Sequence, residues 1–300
     1  MSLQLTRRAV IAAGFTAALT RISHTQAQAP APAQAFAALE AQHGGRLGIA
    51  ALETGTRRRI GYRADERFPM CSTHKFQTVA AILSRVDHGQ LSLDRKLPYR
   101  SDDLVAYAPI AKEHLEEGFL TVEAACAAAI QWSDNTADNL LLGLLGGPEG
   151  WTRYARSLGD QISRLDRIEP ALNTGVPDDP RDTSSPMAML GALDTVLLGT
   201  ALGRSSRARL EAWMLGGKVS DTLLRAAAPA GWRVGDKSGS GDRGSRNDIA
   251  ILRPPHTNPF TDAPILAAVY YTGSAEPLAM RESVVAEAGR IILGALADRV

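Results

Sequence analysis

Strand-like segments stand only near the two ends of this chain, and the long middle carries a helical pattern. Residues 46–52 and 58–62 read as two strands joined by a turn at 53–56, and strands return only at 232–237, 248–252 and 265–271. Strands so distributed share one antiparallel sheet, which makes the fold class α+β. Between them, a helix is expected from about Ser72, with Phe76, Val79, Ala80, Leu83 and Val86 on one apolar face and Gly89 as its stop. Thr121 caps a helix over 122–130. Gly146-Gly147 stops another over 136–145, and Pro148 opens the next. A loop rich in Pro, Asp and Gly fills 165–182, helices resume over 185–198 and 204–215, and a last helix covers 282–296. The expected architecture is a sheet flanked by helices, built from about 36–72 and 218–300, with an inserted helical lobe over about 73–217. A cleft between sheet and lobe is the natural place for a site.

The N-terminus stands apart from this pattern. Thr6-Arg7-Arg8 opens a short apolar stretch at 9–19, followed by the small-x-small triplet Ala27-Gln28-Ala29. Residues 1–29 therefore read as a signal peptide, and both a twin-arginine and an ordinary Sec signal fit. The mature chain, 30–300, begins near Pro30, with 30–35 as a flexible leader, and is periplasmic or secreted. No later segment is apolar enough to span a membrane. Charges nearly cancel, 33 basic against 32 acidic, and no Lys/Arg stripe is present, which argues against a nucleic-acid partner. Six scattered histidines and no Cys-x-x-Cys give no zinc pattern, so no metal site is expected. The two cysteines, Cys71 and Cys126, are either a disulfide or two buried thiols.

Three short motifs carry chemistry. In Ser72-Thr73-His74-Lys75, Ser72 and Lys75 sit one helical turn apart. A serine hydroxyl needs an adjacent base or cation to act as a nucleophile, and Lys75 can serve as either. Ser133-Asp134-Asn135 lies between two helices. Ser133 can relay a proton to a leaving nitrogen, and Asn135 can bind an amide carbonyl. Lys237-Ser238-Gly239 ends the strand 232–237. Its lysine and hydroxyl suit a substrate carboxylate, and the N–H of Ser240 can face a reacting carbonyl oxygen. Each alone is equally a cap or a solvated side chain.

Together and in this order, the three motifs resemble the penicilloyl-serine enzymes, the β-lactamases and penicillin-binding proteins. Arg167-Ile168-Glu169-Pro170-Ala171-Leu172-Asn173, closed at Asp182, is similar to the Ω-loop of class A serine β-lactamases. Glu169 and Asn173, four apart, suit a carboxylate and an amide that hold and deprotonate one water. The resemblance implies Ser72, Lys75, Ser133 and Glu169 as catalytic groups, with Tyr107 at the cleft mouth. It implies an Arg167–Asp182 ion pair across the neck of the loop. It also implies that Arg246 helps Ser238 hold a substrate carboxylate. The family's cysteine partners fall here on Val79 and Gly241, so two free thiols are expected. The implied enzyme is a monomer that needs no metal or organic cofactor and takes a small β-lactam. The alternative is a D,D-peptidase or an acylating β-lactam-binding protein, for which Glu169 and Asn173 have no use.

Overall fold

A computed structural model describes residues 31–255 and 263–297; the signal peptide expected over 1–29 lies outside these residues. Helix α1 (Pro32–His43) precedes strands β1 (Arg46–Glu53), β2 (Arg59–Tyr62) and β3 (Phe68–Pro69). A 3₁₀ turn, Cys71–His74, leads into α2 (Lys75–Asp87). Then come β4 (Lys96–Pro98), α3 (Pro109–Glu113), β5 (Phe119–Thr121), α4 (Val122–Ala127), α5 (Asn135–Leu145) and α6 (Gly147–Ser157). Beyond a long loop follow β6 (Thr183–Ser184), α7 (Pro186–Leu193), α8 (Arg204–Leu215) and α9 (Leu224–Ala227). The chain closes with β7 (Arg233–Gly241), β8 (Ser245–Arg253), β9 (Ile265–Thr272) and α10 (Leu278–Leu296).

The main sheet has the order β2-β1-β9-β8-β7, antiparallel throughout, so strands from both chain ends lie side by side. Ala50 of β1 faces Ala268 of β9 in register. Side chains alternate between two cores, as the pleat requires. Leu47, Ile49, Ala51, Val269 and Tyr271 pack with α1 and α10 on one face. Ala50, Leu52, Ala268 and Tyr270 join the helical core on the other. Burial on both faces explains why 265–271 is a continuous apolar run.

Helix α2 departs from its expected single face. Lys75 through Leu83 are all buried, because α5, α6, α8 and the turn after α4 surround it. Three other expectations need correcting. Residues 30–35 are not a leader throughout: α1 starts at Pro32, with proline in its first turn, and buries Phe36 and Leu39 on the sheet. Strand β7 does not end at Lys237 but runs to Gly241, because β8 pairs with it as far as Gly241↔Ser245. The last helix begins at Leu278, directly after Pro277. Helices α4 and α7 also close in π-helical turns, Ala128–Trp132 and Asp194–Leu198. No helix among the described residues is long and apolar enough to cross a membrane.

Candidate active site

The site is built around a tightly held turn. Cys71 has a positive φ of 47°, which turns the chain sharply ahead of Ser72. Asn247 on β8 donates to the carbonyls of Pro69 and Met70 at 2.8 and 3.1 Å. The N–H of Met70 donates to Asp182 O at 3.0 Å. Strand β7 lies directly against this turn. A Cβ on Gly239 would fall 2.9 Å from Met70 O, and one on Gly241 would fall 2.6 Å from Cys71 Sγ. These glycines are the condition for the approach. Cys71 and Cys126 are both buried free thiols, as expected.

Four acceptors converge on the ammonium of Lys75. It donates to Ser72 Oγ at 3.0 Å, Ser133 O at 2.9 Å and Asn135 Oδ1 at 2.5 Å, and lies 3.0 Å from Glu169 Oε1. Of the Ser133-Asp134-Asn135 motif, only Asp134 acts as the helix cap. Its Oδ1 accepts from the N–H of Ala137 at 2.8 Å, and its Oδ2 from those of Ile110 and Ala111 at 2.9 Å. Ser133, left-handed at φ 60°, and Asn135 are thereby released to face Lys75 and the cleft. Asn135 Nδ2 donates to Ala106 O at 2.8 Å, and its N–H to Tyr107 O at 3.0 Å. That contact pins Tyr107, whose ring is 56% exposed at the rim.

Lys237 donates to Ser133 Oγ at 3.0 Å and to Ser238 O at 2.7 Å. Burial, and then the nearby Lys75 charge, push its ammonium down to about 7. Ser238 is buried beside it, and Ser240 is exposed at the strand end. Arg246 does not reach toward Ser238 as expected. It stands opposite Ser240 in register, donates to Ser240 Oγ at 2.9 Å and pairs with Glu282 at 2.8 Å. Ser238 faces Asp248 instead. Glu282 lies 36 residues on in α10, so no local pattern disclosed this partner.

The loop 165–182 presents Glu169. Its neck is closed by Arg167 Nε to Asp182 Oδ2 at 2.5 Å. Asp182 Oδ1 also accepts from the N–H groups of Asp166 and Arg167 at 2.7 and 3.0 Å. Asn139, which the motifs did not flag, grips Glu169 from α5. Its amide accepts from Glu169 N–H and donates to Glu169 O, both at 3.0 Å. Glu169 Oε1 lies 3.4 Å from Ser72 Oγ, and Oε2 accepts from Asn173 Nδ2. Asn173 Oδ1 is buried without a protein partner among the described residues. A cavity of about 550 Å³ lies elsewhere, between residues 175–181 and Arg46, Arg67 and Arg243, and none of the expected site residues line it.

The expected catalytic residues thus gather around two ammonium groups: Ser72, Glu169 and the Ser133 carbonyl at Lys75, and the Ser133 hydroxyl at Lys237, with Asn135 and Asn173 beside them. Residues 31–296 match the Beta-lactamase enzyme family. The chain is 43% identical to Beta-lactamase Toho-1 of Escherichia coli over 293 residues, 97% of this chain and 99% of that one. It is 44% identical to Beta-lactamase OXY-2 of Klebsiella oxytoca over 254 residues, 85% and 86% of the two chains. The solved structure of the last common ancestor of Gram-negative bacteria (GNCA4) β-lactamase class A is similar at a TM-score of 0.85 and 51% identity, over 89% of this chain and 99% of that one. This chain belongs to the β-lactamase enzyme family, among its class A serine enzymes, and is a hydrolase.

Proposed function

We propose that this enzyme hydrolyses the β-lactam ring of penicillins and cephalosporins through an acyl-enzyme on Ser72, and so confers resistance to them. Lys237 and Ser238 hold the substrate carboxylate by charge-assisted hydrogen bonds, and Arg246 adds positive charge beneath Ser240. Asn135 takes the side-chain amide of the substrate, and Tyr107 walls the cleft mouth. The N–H groups of Ser72 and Ser240 polarise the lactam carbonyl as an oxyanion hole. Ser72 attacks that carbonyl, and its proton passes through a water to Glu169, or to Lys75 in its neutral amine form after Lys75 has given a proton to Glu169. Ser133, hydrogen-bonded to Lys237 at 3.0 Å, delivers a proton to the ring nitrogen as the C–N bond breaks. Glu169, with Asn173, then deprotonates a water that attacks the ester and frees Ser72. No metal or organic cofactor has a role in these steps. Residues 30–300 act as one monomeric catalytic domain in the periplasm or outside the cell, after removal of 1–29.

The observation that carries this reading is the position of Glu169 Oε1, 3.4 Å from Ser72 Oγ and 3.0 Å from Lys75 Nζ. A carboxylate there reaches both the nucleophile and a water beside the ester. The test is a Glu169→Ala variant mixed with a penicillin and weighed intact. An acyl adduct on Ser72 that persists for minutes supports the deacylation role, and turnover at the wild-type rate refutes it. Rapid hydrolysis of a chromogenic cephalosporin by the wild type separates this reading from a D,D-peptidase.

A further inference from the structure

A buried charged pair stands behind this site, and the reaction as described does not use it. His74 lies between Ser72 and Lys75, Asp138 lies in the first turn of α5, and both are 0% exposed. His74 Nδ1 is 2.7 Å from Cys71 O, and Nε2 is 2.8 Å from Asp138 Oδ2. A carbonyl oxygen only accepts, so Nδ1 carries a proton. The contact with Asp138 requires a second proton between Nε2 and Oδ2. Burial opposes both charges, yet the Asp138 carboxylate holds His74 above the usual imidazole range, and His74 holds Asp138 below the usual carboxylate range. These directions assign the shared proton to Nε2, which makes the pair an imidazolium facing a carboxylate.

Its neighbours are also charged. A His74 ring nitrogen, an Asp138 oxygen and a Glu169 oxygen lie within 4.8 Å of one another. Lys75 stands 3.0 Å from Glu169. The nucleophile turn and α2 therefore contribute two cations, α5 and the loop contribute two anions, and α6 contributes the neutral Trp151, whose N–H donates to His74 O at 3.1 Å. The three ligand-type side chains resemble a metal set. Both ring nitrogens are already committed, however, and Lys75 sits on the Glu169 oxygen that a cation would need. What these four groups possess is a balance of two buried cations against two buried anions, with the Lys237 ammonium lying beyond Lys75, and unpaired charge in such a place is costly.

We propose that His74 and Asp138 are positioning residues for deacylation: as one ion pair they balance the buried charge around Glu169 and pin the Cys71 carbonyl that precedes Ser72. The proposal rests on Glu169 as the base that activates water. Replacing His74 by a neutral side chain leaves two carboxylates, Asp138 and Glu169, facing one ammonium. One of them then takes up a proton more readily, and the fraction of Glu169 able to act falls at mildly acid pH.

The experiment follows acylation and deacylation of a penicillin separately from pH 4.5 to 8. It compares wild type, His74→Gln and His74→Gln/Asp138→Asn, with thermal melts alongside. In His74→Gln the acid limb of deacylation rises by about one pH unit or more, roughly a tenfold loss of deacylation below the limb, while the double variant, balanced again, returns toward wild type. A loss of packing alone would slow the reaction without moving the limb. An unmoved limb in His74→Gln, or an equal displacement in the double variant, overturns the proposal. The wild type offers a reading that needs no variant: ¹⁵N resonances of His74 show both ring nitrogens protonated from pH 5 to 8. Titration of that ring near 6.5 would overturn the ion pair itself. The Glu169→Ala adduct separates the two readings. Without an adduct the role of Glu169 fails; with an adduct and an unmoved limb, only the role of the pair fails.

Discussion

Removing the carboxylate of Asp182 should loosen the loop that carries Glu169 before it affects anything else. That side chain is 1% exposed and serves three donors: the Arg167 guanidinium at 2.5 Å and the N–H groups of Asp166 and Arg167 at 2.7 and 3.0 Å. Breaking a buried pair by deleting one partner costs about 3–5 kcal/mol. Each stranded N–H adds about 1 kcal/mol, part of which the pair figure already contains. Arg167 is 21% exposed, so water recovers some of its charge. The sum for Asp182→Ala is about 4 kcal/mol, which for a domain of this size lowers Tm by roughly 10 °C. Asp182→Asn keeps a carbonyl oxygen for the two N–H groups but loses the charge and turns an NH2 donor toward the Arg167 guanidinium, so it costs less than alanine, about 3 kcal/mol. Unfolding in guanidinium chloride, read for midpoint and slope, gives both numbers. Because the neck orients Glu169, deacylation should slow in both variants more than acylation does. A loss below about 1 kcal/mol in the alanine variant, or a larger loss in the asparagine variant, would refute this account of the neck.

Three further outcomes follow from the buried lysine and thiols. Lys237 titrates at about 7 in the folded enzyme, against about 10.4 when unfolded. The cost of burying its charge is therefore fully present below pH 7 and disappears by about pH 10.4, so Lys237→Met should stabilise most at pH 6 and least at pH 10. The same deprotonation should raise KM for a carboxylate-bearing substrate above about pH 7, whereas Lys237→Arg, charged throughout, should flatten that rise. A wild-type KM constant to pH 9 would contradict it. Burial pushes Cys71 up to about 12 and pushes Cys126 up as well. Neither thiol should react with a thiol-specific reagent in the native enzyme, and both should react in denaturant; one fast native thiol would be the contrary result.

Local chemistry was legible in the sequence, and distant partnership was not. The cap at Thr121, the glycine stop at Gly146 and the apolar run of β1 depend on neighbours within a turn or a strand, and each reads directly. The motif order and the resemblance of the loop 165–182 pointed to Ser72, Lys75, Ser133, Glu169 and Lys237, which the fold brings together. Asn139 and Asn247 left no such mark. Each is an ordinary amide whose partners lie 24 or more residues away. The same is true of His74, which finds Asp138 at a separation of 64 residues. Gly239 and Gly241 misled for a different reason. Glycine weakens an isolated strand, but here its missing side chain is what lets β7 lie against the nucleophile turn. The onset of α1 was hidden by Pro/Ala-rich composition. That composition reads as a linker unless Phe36 and Leu39 have a sheet to rest on.

The strand order β2-β1-β9-β8-β7 has a consequence for the timing of synthesis. Strand β1 lies inside the sheet, yet one of its neighbours, β9, is the last of the described strands to leave the ribosome. Helix α1 waits longer still, for α10. Until then β1 shows a bare edge and a naked apolar face, a surface that chaperones bind and proteases cut. Pairings between the two chain ends also carry the largest loop-closure cost, which makes the sheet slow to form. A nascent chain stopped before Ile265 should remain protease-sensitive on its sheet side, with resistance arriving in a single step once α10 has been made.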